Sequence, residues 1–98
     1  MWVSPHEVEE VLSEDESVVE CAVVGVPDRD TLIKPEAFVV VLANAEGGQE
    51  LEDRLRQRVR QRLGGNKTPR AFHFVESLPR TATGKVQRFK LRELTQQN

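Results

Sequence analysis

The sequence predicts an α+β domain: about three main strands, mostly antiparallel, in a small sheet flanked by helices. Three observations carry this. The runs VVECAVVGVP and PEAFVVVL are β-branched and compact, as strands are. In ELEDRLRQRVRQRL, Leu51, Leu55, Val59 and Leu63 recur every four residues among arginines, the pattern of an amphipathic helix. RAFHFVESLP alternates Phe72 and Phe74 with more polar neighbours, as a half-buried strand does. Ninety-eight residues suit one domain with one modest core.

The elements follow in chain order. Ser4 to Glu7 reads as a helix start: the Ser4 hydroxyl accepts from the Glu7 amide, Glu7 reaches back, and Pro5 sits where its missing N–H does no harm. Val8, Val11 and Leu12 share one face, so a helix is expected from Pro5 to about Ser13. Strands are expected over Val18 to Pro27 and Pro35 to Leu42. The polar DRDTLIK between them makes an antiparallel pair the economical arrangement. The next helix carries Glu50, Glu52 and Asp53 at its start and arginines toward its end, which suits the helix dipole, and Gly64-Gly65 supplies the stop. Because nearly every turn of it also presents a core residue, Arg54, Arg56, Arg58, Arg60 and Arg62 read as a solvated face rather than a nucleic-acid reader. His73 points away from the two phenylalanines and has no metal-type ligand near it in sequence. It is read as structural or solvated. A last helix is expected from Arg88 to Leu94.

The charge is divided. Residues 1–66 carry seven basic and fourteen acidic side chains, whereas residues 67–98 carry seven basic and two acidic. Such a basic tail suits either an anionic ligand or a solvated face. Cys21 is the single cysteine, so no internal disulfide is possible, and its apolar surroundings read as those of a core thiol. No apolar run approaches the roughly 20 residues of a membrane helix, and the acidic start is unlike a secretory signal. A cytoplasmic location is the expectation.

The segment LPRTATGKVQR poses the functional question. A Walker phosphate loop needs a glycine five residues before the Gly84-Lys85 pair and a Ser or Thr after it, but Pro79 and Val86 stand there. What remains is a lysine on a loop held by a proline and a helix, with Gly84 free to adopt a backbone that other residues avoid. Lys85 is then either an ammonium projected toward something outside the domain or a plain surface lysine.

The stretch LPRTATGKVQRFKLREL resembles the closing signature of the adenylate-forming enzymes: acyl- and aryl-CoA ligases, peptide-synthetase adenylation domains and luciferases. WVSPHEVEEVL resembles the start of their small C-terminal domain, while ECAVVGVPD and KPEAFVVV resemble its next two strands. LIKPEAFVVV together with TATGKVQRFKLR is most similar to the benzoate-CoA ligase branch. The resemblance implies that residues 1–98 are one C-terminal lid domain, with the hinge and the large N-terminal domain lying outside the chain. It implies ATP, a carboxylic acid and coenzyme A as substrates, magnesium in the full enzyme with no ligand from this domain, and the large N-terminal domain as partner. It implies that Lys85 assists adenylation, with Gly84 shaping its loop. Trp2 and Ser4 are expected along the pantetheine tunnel, and Arg70 and Lys67 near the phosphates of coenzyme A. Asn66 stands where the family usually has an aromatic, a departure that bears on base stacking there. The isolated domain is expected to be inactive. Two alternatives remain at this level: an adenylation domain that loads a carrier protein, and a stand-alone basic module for nucleic acid or an acidic partner. Against nucleic acid, only Phe89 lies among the basic residues of the tail, few for base stacking.

Overall fold

The computed structural model describes residues 5–27, 29–30, 32–42 and 48–95. Helix α1 (Pro5–Ser13) leads into strand β1 (Val18–Pro27), then β2 (Ile33–Val41), helix α2 (Gln49–Leu63), a 3₁₀ turn at Gly65–Lys67, strand β3 (Ala71–Phe74) and helix α3 (Arg88–Thr95). The expected elements are all present, within a residue or two at most ends. β2 starts at Ile33, two residues before Pro35, and the one larger difference is the third strand, which keeps only Ala71 to Phe74. The Ser4 cap lies outside the described residues.

The strands form one sheet in the order β1-β2-β3. β1 and β2 pair antiparallel from Val18↔Val41 to Pro27↔Ile33, with a register irregularity between Val18 and Glu20. β3 pairs parallel to β2, from Glu36↔Ala71 to Val39↔Phe74, so the sheet is mixed. A parallel pair needs a crossover, and α2 lies in that connection.

Because strand side chains alternate, the sheet buries two faces. One packs Val23, Ala37, Val39 and Phe72 against Val8, Val11 and Leu12 of α1 and Leu51, Leu55 and Val59 of α2. The other packs Ala22, Val24, Val26, Phe38 and Val40 against Leu78 and Leu91 of α3. The result is a three-layer arrangement, with α1 and α2 on one side and the C-terminal segment on the other.

The arginines of α2 are less idle than a solvated face. Arg54 grips the buried Asp15 through Nε at 2.8 Å and Nη2 at 3.0 Å, and the Ser17 amide donates to the same carboxylate at 2.9 Å. The Arg54 hydrogen bond lowers the Asp15 pKa from its ordinary 3.8 against the opposing effect of burial. Arg62 reaches Glu14 at 2.6 Å, and Arg56 lies 5.1 Å from the Phe72 ring centroid. Arg54 and Arg62 thus fasten α2 to the α1-β1 turn, while Arg56 lies against β3. Cys21 is partly buried, in contact with Ser13 Oγ and the Glu9 carbonyl at 3.5 Å each, and desolvation raises its thiol pKa.

Candidate functional site

The segment after β3 is anchored before it becomes exposed. Leu78 is buried and Val86 partly buried in the α3-side core, and between them the chain leaves the protein surface and returns. Arg80 and Val86 form a single antiparallel bridge at the neck, and the Gln87 amide donates to the Pro79 carbonyl at 2.8 Å. Inside the loop, the Thr81 amide donates to the Lys85 carbonyl at 2.8 Å, and the Gly84 amide to the Thr81 carbonyl at 2.9 Å. The Thr81 hydroxyl oxygen accepts from the Lys85 amide at 3.1 Å and lies 3.0 Å from that of Thr83. Gly84 has φ +89°, in the region that favours glycine, and the space where a Cβ would stand is open. The threonines therefore act inside the loop, and conformation rather than crowding is what Gly84 provides.

At the tip, residues 80–85 are all exposed. The Lys85 ammonium makes no hydrogen bond or ion pair among the described residues. Its neighbours contrast with it: Arg80 donates from Nη1 to the Gly84 carbonyl at 2.6 Å and from Nη2 to Glu20, and Arg88 donates to Glu9 at 2.6 Å. Among the described residues the loop thus offers Lys85 without a partner, while Arg80 in the loop and Arg88 just beyond it are bound.

The other two expected cations are not free. Lys67 Nζ lies 3.2 Å from Glu7 Oε2. Arg70 contacts Glu36 Oε2 through Nε and Nη2, each at 2.7 Å. The same Glu36, 7% exposed, meets His73 Nε2 at 2.8 Å through its other oxygen, and the imidazole stacks on Phe38 with centroids 4.6 Å apart. Of the two readings the sequence left for His73, structural or solvated, these contacts favour the structural one. Arg70 keeps Nη1 without a partner among the described residues, and Arg70 itself is exposed. Trp2 and Ser4 lie outside the described residues.

Register separates the two cationic regions. Glu20, which ties down the Lys85 loop, lies opposite Val40, whereas Glu36, which holds Arg70, lies opposite Val24. Along β2 the two positions, Val40 and Glu36, lie four residues apart. Sequence reading missed the carboxylates of both regions, because Glu20 and Arg80 are sixty residues apart, as are Glu7 and Lys67, and nothing local announces such pairs. Among the described residues no group of three or more His, Cys, Asp or Glu could hold a metal ion, and no helix is long and apolar enough to cross a membrane.

Comparison with known proteins bears on the family and the fold. Residues 7–85 match the AMP-binding enzyme C-terminal domain family. A benzoate-CoA ligase of Thauera aromatica is 50% identical over 92 residues, which is 94% of this chain and 18% of that protein. The crystal structure of a benzoate CoA ligase from Burkholderia xenovorans superposes with a TM-score of 0.85 at 49% identity, covering 93% of this chain and 18% of that one. An anthranilate CoA ligase crystallised with anthranoyl-AMP superposes with a TM-score of 0.88 at 44% identity, over 96% of this chain and 18% of the other. The chain thus spans about a fifth of the length of these acid-thiol ligases, with the fold of their small domain. Matched over most of its length in both sequence and fold, the chain belongs to the AMP-binding enzyme C-terminal domain family.

Proposed function

We propose that this chain serves as the lid domain of an AMP-forming ligase that joins an aromatic carboxylic acid to coenzyme A, with a large N-terminal domain as its partner. The observation that carries this is the exposed ammonium of Lys85, without a partner among the described residues, on a loop otherwise closed by its own hydrogen bonds. In the first half-reaction a carboxylate oxygen bonds to the α-phosphorus of ATP and the bond to the β-phosphate oxygen breaks, releasing pyrophosphate. Both partners are anions, so a cation placed between carboxylate and α-phosphate offsets their repulsion and the charge that gathers in the transition state. Lys85 supplies that cation and forms no covalent bond. In the second half-reaction the thiol sulfur bonds to the acyl carbon and AMP departs. The lid then turns a different face to the site.

The aromatic substrate class rests on relatives named for benzoate and anthranilate. For the second half-reaction, Arg70 donates to phosphate from Nη1 while Glu36 keeps its other nitrogens, and Lys67 exchanges its exposed bond to Glu7 for a phosphate oxygen. Trp2 and Ser4 line the tunnel in this reading. Magnesium accompanies ATP, and its ligands belong to the large domain.

The test joins this chain to the large domain of the Thauera aromatica benzoate-CoA ligase in place of that enzyme's own C-terminal domain. Pyrophosphate release with benzoate and ATP is expected to fall on the order of 10²- to 10³-fold on Lys85→Ala. An undiminished rate overturns the assignment. The isolated 98-residue chain is expected to release none.

A further inference from the structure

The geometry points to Glu20 and Arg80 as positioning residues that aim Lys85, a role that rests on the proposed part of Lys85 in adenylation. The bond between Gly84 and Lys85 is rigid and planar, so fixing its two polar groups fixes the direction in which the Lys85 Cα departs. Its carbonyl accepts from Arg80 Nη1 at 2.6 Å, and its N–H donates to Thr81 Oγ1 at 3.1 Å. Both ends of the plane are therefore held.

Arg80 is itself held. Its guanidinium is a planar fork, so the contact of Nη2 with Glu20 sets the orientation in which Nη1 meets the Gly84 carbonyl. Glu20 belongs to β1, whose backbone is locked to β2 through Val40. A continuous path thus runs from the sheet through Glu20 and Arg80 to the Gly84-Lys85 peptide. The far end of the loop has a matching brace, since Arg88 at the start of α3 donates to Glu9 of α1 at 2.6 Å, and Glu9 also accepts from the Val23 amide of β1 at 2.8 Å. Both carboxylates belong to the α1-β1 unit. The exposed loop is clamped at both sides of its neck by arginines that reach back to one rigid body. Such a clamp suits a side chain that must deliver its charge to a fixed point outside its own domain, where a small misplacement is costly in rate.

The test is amide hydrogen exchange on the 98-residue chain, paired with half-reaction kinetics in the joined enzyme described above. In Glu20→Gln the amides of Thr81, Gly84 and Lys85 are expected to exchange about two- to fivefold faster, the scale of one partly exposed ion pair, while the amides of β2 keep their rates. Arg80→Ala removes both of its contacts and is expected to do more, and adding Glu20→Gln to it is expected to change nothing further. In the joined enzyme, Glu20→Gln is expected to slow adenylate formation about three- to tenfold and leave thioester formation from supplied benzoyl-adenylate unchanged. Loop exchange that stays constant, sheet exchange that rises equally, or equal slowing of both half-reactions overturns the positioning role. A normal adenylation rate in Lys85→Ala, with the loop still loosened by Glu20→Gln, overturns the function proposed for Lys85 and leaves the clamp standing as structure alone.

Discussion

Glu36 and Arg70 meet at the edge of the sheet where β2 and β3 begin to pair. The carboxylate is 7% exposed and accepts from Arg70 Nε and Nη2 at 2.7 Å, while the Arg70 amide donates to the Pro35 carbonyl at 2.9 Å. Arg70 is therefore bound to β2 by backbone and side chain together. Because His73 takes the other Glu36 oxygen, this one buried acid organises the entry to β3 as well as the cation proposed for phosphate contact.

Removing that acid should weaken the fold. Glu36→Ala leaves His73 and Arg70 without their acceptor in a half-buried setting, and a loss of about 1–3 kcal/mol is expected, a fall of several degrees in Tm. Arg70 can still turn to water, which keeps the loss below that of a fully buried pair. Thermal unfolding of the chain checks this.

Asp15 gives the stability a defined acid dependence. Its folded pKa lies below the ordinary 3.8, chiefly because Arg54 donates to it, so the carboxylate stabilises the fold fully above the unfolded value. That contribution fades as pH falls through the lower, folded pKa. Asp15→Asn is expected to be less stable than the natural chain at pH 7, by about 1–3 kcal/mol. The difference is expected to shrink below pH 3.8. Urea unfolding at a series of pH values measures it.

Gly84→Ala separates conformation from crowding. A Cβ there meets nothing, yet φ of +89° is costly for any residue with a side chain. The expected penalty is about 1–2 kcal/mol, confined to the loop because the loop can rearrange. Its signature is altered amide shifts for Thr81 and Lys85 with an unchanged sheet, and slower adenylation in the joined enzyme.

Lys85→Ala is expected to leave stability within about 0.5 kcal/mol of the natural chain, because the side chain is exposed and its ammonium holds no partner among the described residues. Equal Tm alongside lost adenylation would separate chemistry from folding.

Cys21 should be a slow thiol. Desolvation raises its pKa and it is partly buried against Ser13 and Glu9, so alkylation by iodoacetamide near pH 8 is expected to lag that of the unfolded chain, in which the thiolate is both commoner and open to reagent.

Local sequence determined the elements. β-branched runs, four-residue leucine spacing and the glycines after Leu63 each act over a few residues, so β1, β2 and α2 could be read directly, as could the inward face of α1 and the placement of His73 on the face opposite Phe72 and Phe74. The glycine-lysine loop was legible for the same reason, since its shape depends on neighbours in the chain. Tertiary structure alone decided which charges are used. Glu9 with Arg88, Glu20 with Arg80 and Glu36 with Arg70 are joined by folding across long stretches of chain, and so Arg70 and Lys67 are paired while Lys85 has no partner among the described residues. The parallel placement of β3 belongs to the same class of fact, because it depends on how α2 crosses the sheet rather than on the residues of the strand. Periodicity records which way a side chain faces; its partner is set by three-dimensional proximity, for which a single sequence carries no local signal.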